Sequence, residues 1–232
     1  DVNISQTSGD DVIIYLNNAT GTTANFHIGG DLIYDHTGGD DLLLQMNGNS
    51  TFSLDGNFTT TWNSSDGDLF YLDLNGGIFN IGGSFSLAQT AAGGTTEDII
   101  IYLDGTSQLN TAGSFTVDHQ NGDDFLIYLN NASGSAAAFT VGTNFNLNHN
   151  AGNDFLVILN GASSVFTING NFTTAWNNCD ADRYYLDING GVFTVGGNYS
   201  FTQTATGGST EDWLIYIDNA GQMNTTGSFT VN

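Results

Sequence analysis

Basic residues are almost missing from this chain. Among 232 residues there is one, Arg183, against 24 acids, and the formal net charge is -23. A chain so poor in cations has no basic face for nucleic acid and nothing to draw it to anionic lipid. It also offers trypsin-like proteases a single cleavage site, which suits a protein that persists outside cells. Proline is absent and glycine is abundant at 31, a composition unlike that of an ordinary globular domain. The lone Cys179 excludes an internal disulfide. No apolar run reaches the roughly 18 residues of a membrane span, so membrane insertion is excluded on that criterion. The chain opens without a charged n-region and apolar h-region, so a secretion signal is either lacking or already removed.

What is present is a repeat. Hydrophobic residues make up 39%, enough to build a core, and they recur in register. The stretch Asp10-Asp11-Val12-Ile13-Ile14-Tyr15-Leu16 returns at Asp40, Asp68, Glu97, Asp123, Asn153, Asp182 and Glu211. A period of about 30 residues is the signature of a solenoid. Each coil carries three alternating segments bounded by Gly and Asn clusters, as half-buried strands do. In the first coil they are A, Val12 to Leu16; B, Phe26 to Ile28; and C, Leu32 to Tyr34. The inward columns are aromatic or aliphatic, for example Phe52, Phe79, Phe139, Phe166 and Phe193 in B and Phe58, Phe85, Phe115, Phe145 and Phe172 in C. The expected fold is all-β, a single parallel β-solenoid of about eight three-strand coils with a strand spacing of about 4.8 Å. It forms one continuous domain over 1–232. Residues 10–122 and 123–232 are tandem four-coil halves, as Gly56-Asn57-Phe58-Thr59-Thr60-Thr61-Trp62 and Gly170-Asn171-Phe172-Thr173-Thr174-Ala175-Trp176 show. Residues 1–9 supply an extra N-terminal strand. Between B and C the corner residue is Gly30, Gly56, Gly83, Gly113, Thr143, Gly170, Gly197 and Gly227 in turn, which points to a backbone with positive φ.

Several columns are candidates for chemistry. Two acidic columns precede strand A and together hold seven and six of the acids. Asp10, Asp40 and Asp123 belong to the first; Asp11, Asp41, Asp98, Asp124, Asp154 and Asp212 form the second. Carboxylates about 4.8 Å apart repel by roughly 1 kcal/mol in bulk water and by more in less polar surroundings. Either Ca²⁺ ligation offsets this, or the row is a solvated edge with raised pKa values. Strand A ends in Asn or Asp in every copy, among them Asn17, Asn47, Asn75, Asp104, Asn160 and Asn189, and an amide ladder is expected there. The column Gln6, His36, Trp62, Gln89, His119, His149, Trp176, Gln203 follows segment C and is expected to form a surface ladder rather than a metal site. On the outside of strand A lies the stripe Ile13, Leu43, Tyr71, Ile100, Leu126, Leu156, Tyr185, Leu214, flanked by Tyr15, Gln45, Asp73, Tyr102, Tyr128, Ile158, Asp187 and Tyr216. Such a stripe marks a contact surface for a lateral partner, unless the chain's own loops cover it or the sheet is buried on both faces.

The chain starts and ends on strands, with Val2 and Ile4 at one end and Phe229 and Val231 at the other. Open strand edges recruit other chains, so head-to-tail stacking into a homopolymer is expected. At its Gly56-Asn57-Phe58-Thr59 and Gly82-Gly83-Ser84-Phe85-Ser86 corners the chain resembles the β-solenoid surface proteins of microbes, the filamentous-haemagglutinin-like adhesins. Its coil is longer than theirs. The resemblance implies an exported, elongated protein of an adhesive surface or extracellular matrix and carries over no functional residue. The alternatives are a monomeric adhesin or carbohydrate-binding segment, a polysaccharide-active β-helix enzyme, and an ice-binding protein. Catalysis needs a site unlike the other coils, and apart from Arg183 and Leu69 little breaks the repeat. Ice binding needs regular Thr columns, and the outward row His27, Ser53, Asn80, Asn110, Thr140, Thr167, Thr194, Asn224 is mixed.

Overall fold

A computed structural model describes residues 1–16, 23–63, 69–90, 98–120, 123–129, 136–150, 154–177, 183–204 and 212–232. The chain is a parallel β-solenoid, and no helix occurs among these residues. Its three sheets contain eight A strands, eight B strands and nine C strands. Sheet A runs Val12–Leu16, Leu42–Asn47, Leu69–Asn75, Asp98–Asp104, Phe125–Leu129, Phe155–Asn160, Arg183–Asn189, Asp212–Asp218. Sheet B runs Asn25–Ile28, Thr51–Leu54, Ile78–Ile81, Gln108–Thr111, Ala138–Val141, Val165–Ile168, Val192–Val195, Gln222–Thr225. Sheet C runs Val2–Thr7, Leu32–Gly38, Phe58–Trp62, Phe85–Gln89, Phe115–His119, Phe145–His149, Phe172–Trp176, Tyr199–Gln203, Phe229–Val231. Pairing is in register, so repeat-equivalent residues lie side by side. The sheets also continue across the junction of the two halves, with Ile99 opposite Phe125.

The alternation read from the sequence sets which face is buried. In strand A Leu42, Leu44 and Met46 point in while Leu43 and Gln45 point out. In B Phe52 and Leu54 point in, and in C Phe58, Thr60 and Trp62 do. The core is therefore a set of ladders of like on like. Phe85, Phe115, Phe145, Phe172, Tyr199 and Phe229 stack along the axis with ring centroids 4.2 to 5.4 Å apart. Each such pair contributes about 0.5–1.5 kcal/mol beyond its buried area.

Two expectations are corrected. The corner glycines between B and C do not have positive φ; that conformation occurs instead after strand A, at Gly48, Gly76, Gly105, Gly161 and Gly190, and before it, at Gly9 and Gly39. The corner excludes a side chain for want of space: a Cβ on Gly197 would lie 2.5 Å from Asn171 Oδ1 and 3.0 Å from the backbone of Gly170. Glycine is needed there for close coil-to-coil approach.

The second correction concerns the Gln, His and Trp column. It is interior: His36, Trp62, Gln89, His119, His149 and Trp176 are all buried. Strand C is longer than its first three residues suggest, and its fifth residue shares the inward face with the first and third. The column is a polar seam inside the corner between sheets C and A. His119 Nδ1 and His149 Nδ1 are 2.8 Å apart, one ring donating and the other accepting. The rings are therefore neutral and of opposite tautomer. Burial, and then the repulsion a second proton would meet from His149, hold His119 well below the usual imidazole range; burial lowers His149 to about 4, against a smaller upward pull from Asp154.

A pH dependence follows. Groups whose folded pKa is depressed leave stability intact above the unfolded value of 6.5 and remove it as pH falls toward the folded value. Substituting both histidines with glutamine, the residue at Gln89 in the same column, should flatten that loss. Urea unfolding near pH 7 and near pH 4 should show the wild type losing on the order of 3 kcal/mol more than H119Q/H149Q, from the His149 shift alone at about 1.4 kcal/mol per pH unit. Equal losses would show that the pair does not titrate in this range.

Candidate functional site

The acidic corner is built by the turn into strand A. At four of these turns the Asp of the second acidic column places a carboxylate oxygen on the backbone N–H of its equivalent one coil on. Asp41 Oδ1 accepts from Leu69 N–H at 2.8 Å, Asp98 from Asp124 at 3.1 Å, Asp124 from Asp154 at 2.9 Å and Asp154 from Arg183 at 2.9 Å. The second acidic column is thus a ladder that satisfies backbone donors at the corner.

The corner between B and C does the same with mostly neutral side chains. Asn57 Oδ1 accepts from Ser84 N–H at 2.9 Å, Asn144 from Asn171 at 2.8 Å, Asn171 from Asn198 at 2.8 Å and Asn198 from Ser228 at 2.8 Å. This second ladder was not singled out from the sequence, although its signal is there: an Asp, Asn or Ser immediately before every inward residue that opens a C strand. Because asparagine can hold such a ladder, the negative charge at the A corner is not required by the backbone.

That charge has a cost. Asp124 is pushed up to about 6, first by burial and then by the charges of Asp123, Asp98 and Asp154. Asp123 and Asp41 are raised as well, burial again leading. The structure brings together Asp98, Asp123 and Asp124, whose carboxylate oxygens lie within 4.8 Å of one another. Three hard oxygen donors at this separation fit part of a Ca²⁺ shell, which takes about 6–8 oxygens and would draw the rest from backbone carbonyls and water. The other predicted ligands do not join them. Asp10, Asp11, Asp40 and Asp212 are exposed, Asp41 serves the ladder, and Asp154 carries Arg183 on Oδ2 at 2.8 Å. Asp68, Glu97, Asn153, Asp182, Glu211 and Cys179 lie outside the described residues.

The outer face of sheet A adjoins this corner. Ile13 is 55% exposed, Tyr15 51% and Tyr216 52%. Leu43, Tyr71, Ile100, Leu126, Leu156, Tyr185 and Leu214 are half-buried by their neighbours, and none of them is buried. The sheet therefore has one core face and one outward face, which removes the reading in which both are buried. Tyr102 packs on Tyr128 and Tyr185 on Tyr216, with centroids 6.2 and 5.4 Å apart. Asp73 sits among these residues, its carboxyl raised by burial and then by Asp104, with Gln45 Nε2 donating to it at 3.4 Å. Tyr71 beside it is pushed up to about 12, mainly by burial.

The Asn row at the end of strand A is a ladder only in part. Asn189 donates to Asn160 Oδ1 at 3.2 Å and Asn219 to Asn189 Oδ1 at 2.5 Å, whereas Asn47 donates to Tyr15; Asn17 and Asn130 lie outside the described residues. At the solenoid ends Val2 and Ile4 are partly buried against the core, and Phe229 and Val231 are 45% and 40% exposed.

Asp124→Asn tests the corner. The amide oxygen keeps the bond to Asp154 N–H and removes one charge, so the variant should melt above the wild type at neutral pH. A carboxyl with a raised pKa contributes stability below its unfolded value and loses it as pH rises through the folded value. The gap between the two proteins should therefore close as pH falls from about 6 to about 4. A variant that melts lower at neutral pH would show that the carboxylate is held by something favourable. Compared with protein-family models, curated proteins and solved structures, the chain finds no match.

Proposed function

We propose that the chain is an exported structural protein, a rigid solenoid rod whose end faces join copies into extracellular filaments. The observation that carries this reading is the in-register parallel stacking, in which each described coil is a template for an equivalent one. Phe26 is 39% exposed, Ile217 49%, Phe229 45% and Val231 40%, whereas Phe52, Ile188, Tyr199 and Phe201 in the same columns are at 0 to 1%. An apolar ladder cut open beside unpaired strand edges is a template for another chain. Lysine and proline, which natural edge strands use to prevent such pairing, are both missing. The repetition itself argues against catalysis, since every coil presents nearly the same groups. Ca²⁺ on Asp98, Asp123 and Asp124 would serve as a stiffening ion, offsetting carboxylate repulsion along the rod.

Sheet order supports one form of the joint. Sheet C has one strand more than the other two, so Val2–Thr7 of one copy would pair with Phe229–Val231 of the copy before it. In the existing register Val2 shares a column with Leu32 and Ile4 with Tyr34, as Phe229 does with Tyr199 and Val231 with Phe201. Val2 would then cover Phe229, and Ile4 would cover Val231. Sheets A and B are left one strand short at such a joint. Removing residues 1–9 lets all three sheets meet.

Electron microscopy and light scattering of the purified chain provide the test. Filaments are expected, longer and more numerous after deletion of residues 1–9, and shortened by a Ca²⁺ chelator if the ion stiffens the rod. A homogeneous monomer at high concentration in both proteins would sink the filament reading.

A further inference from the structure

We propose that the outward face of sheet A is the docking surface for a cationic polypeptide with an apolar stripe, laid along the solenoid axis. This is independent of the end-to-end joint, which uses other residues. The face is roughly 38 Å long over eight strands and roughly 17 Å wide over five residues, which approaches the roughly 800 Å² that each partner of a standard interface buries. Its centre is apolar, with Leu126 and Tyr128 in the fifth coil typical. Its margins are not. Asp98 and Asp124 form the rim before the strand, Asp104 lies on the rim after it, and Asp73 lies on the face itself. A partner that covers the apolar centre also desolvates these carboxylates, Asp73 and Asp104 among them, a cost that a partner carrying its own cations offsets.

Charge complementarity decides among the occupants. A second copy brings a net charge of -23, and its one basic residue, Arg183, is already on Asp154. Two such faces would set acidic rim against acidic rim. A neutral glycan leaves the carboxylates unpaired, and the tyrosines do not form flat stacking platforms: Tyr102 and Tyr128 are inclined to each other by 53° and Tyr185 and Tyr216 by 57°. A strand or helix with leucine-like residues on one side and lysine or arginine along its margins fits both the centre and the rims.

The probes are two synthetic peptides of equal length and charge, one alternating leucine with lysine and one alternating serine with lysine, titrated against the full chain by calorimetry. The leucine peptide should bind about ten-fold more tightly, and Leu126→Ser or Tyr128→Ser should each weaken it several-fold to about ten-fold. Thr140→Ser on sheet B should leave it unchanged. Circular dichroism confirms that each variant keeps its strands. Equal affinity for both peptides, or insensitivity to the two face variants, overturns the proposal in favour of bulk charge attraction. Binding of a neutral chito- or cello-oligosaccharide that the face variants abolish would reassign the face to a glycan. Self-association lost in those variants but kept after deletion of residues 1–9 would reassign it to a second copy.

Discussion

The constraint on which the molecule depends is in-register parallel pairing. Once each strand lies about 4.8 Å from its repeat equivalent, every side chain meets its own kind above and below. For apolar residues this is favourable, and the Phe85 to Phe229 ladder gains ring stacking as well as burial. For amides it is favourable where geometry permits, as at Asn160 and Asn189. For carboxylates it is unfavourable, and the raised Asp41, Asp123 and Asp124 carboxyls record it. One geometric rule thus produces the core, the amide ladder and the strain.

The same rule explains how much of the fold is legible in the residues alone. Two-residue alternation recurring about every 30 residues suffices to identify the three sheets, their parallel order and nearly all inward columns. Strand length is less legible, because polar residues at the end of a strand look like a loop. His36, His119 and His149 read as surface for that reason, and only pairing as far as His119 with His149 shows that strand C continues inward. The corner glycines show a different limit. Their recurrence is visible, but a need for positive φ and a need for space leave the same mark on a sequence, and the close approach of Gly197 to Asn171 appears only once coils are stacked.

The acidic corner was legible as two columns and not as a site. Sequence spacing places six carboxylates of the second column on one line, yet the geometry leaves Asp11 and Asp212 exposed and divides the other four among ladder bonds, an ion pair with Arg183 and a group in which Asp98 and Asp124 meet Asp123 of the first column. The division depends on rotamers and on Arg183 in the seventh coil. Comparison of the two corners adds what neither shows alone. Asn144 and Asn171 do at one corner what Asp98 and Asp124 do at the other, so backbone satisfaction accounts for a short polar acceptor at each but not for the charge.

Excess charge beside an exposed apolar face has consequences for association. Self-repulsion at a net charge of -23 opposes lateral contact between rods more than contact at their ends. Side-by-side packing would bring two acidic corners together along the whole length of the rod. Electrostatics thus disfavours side-by-side packing of copies, and a lateral neighbour that carries cations is the one that this chain's charge favours.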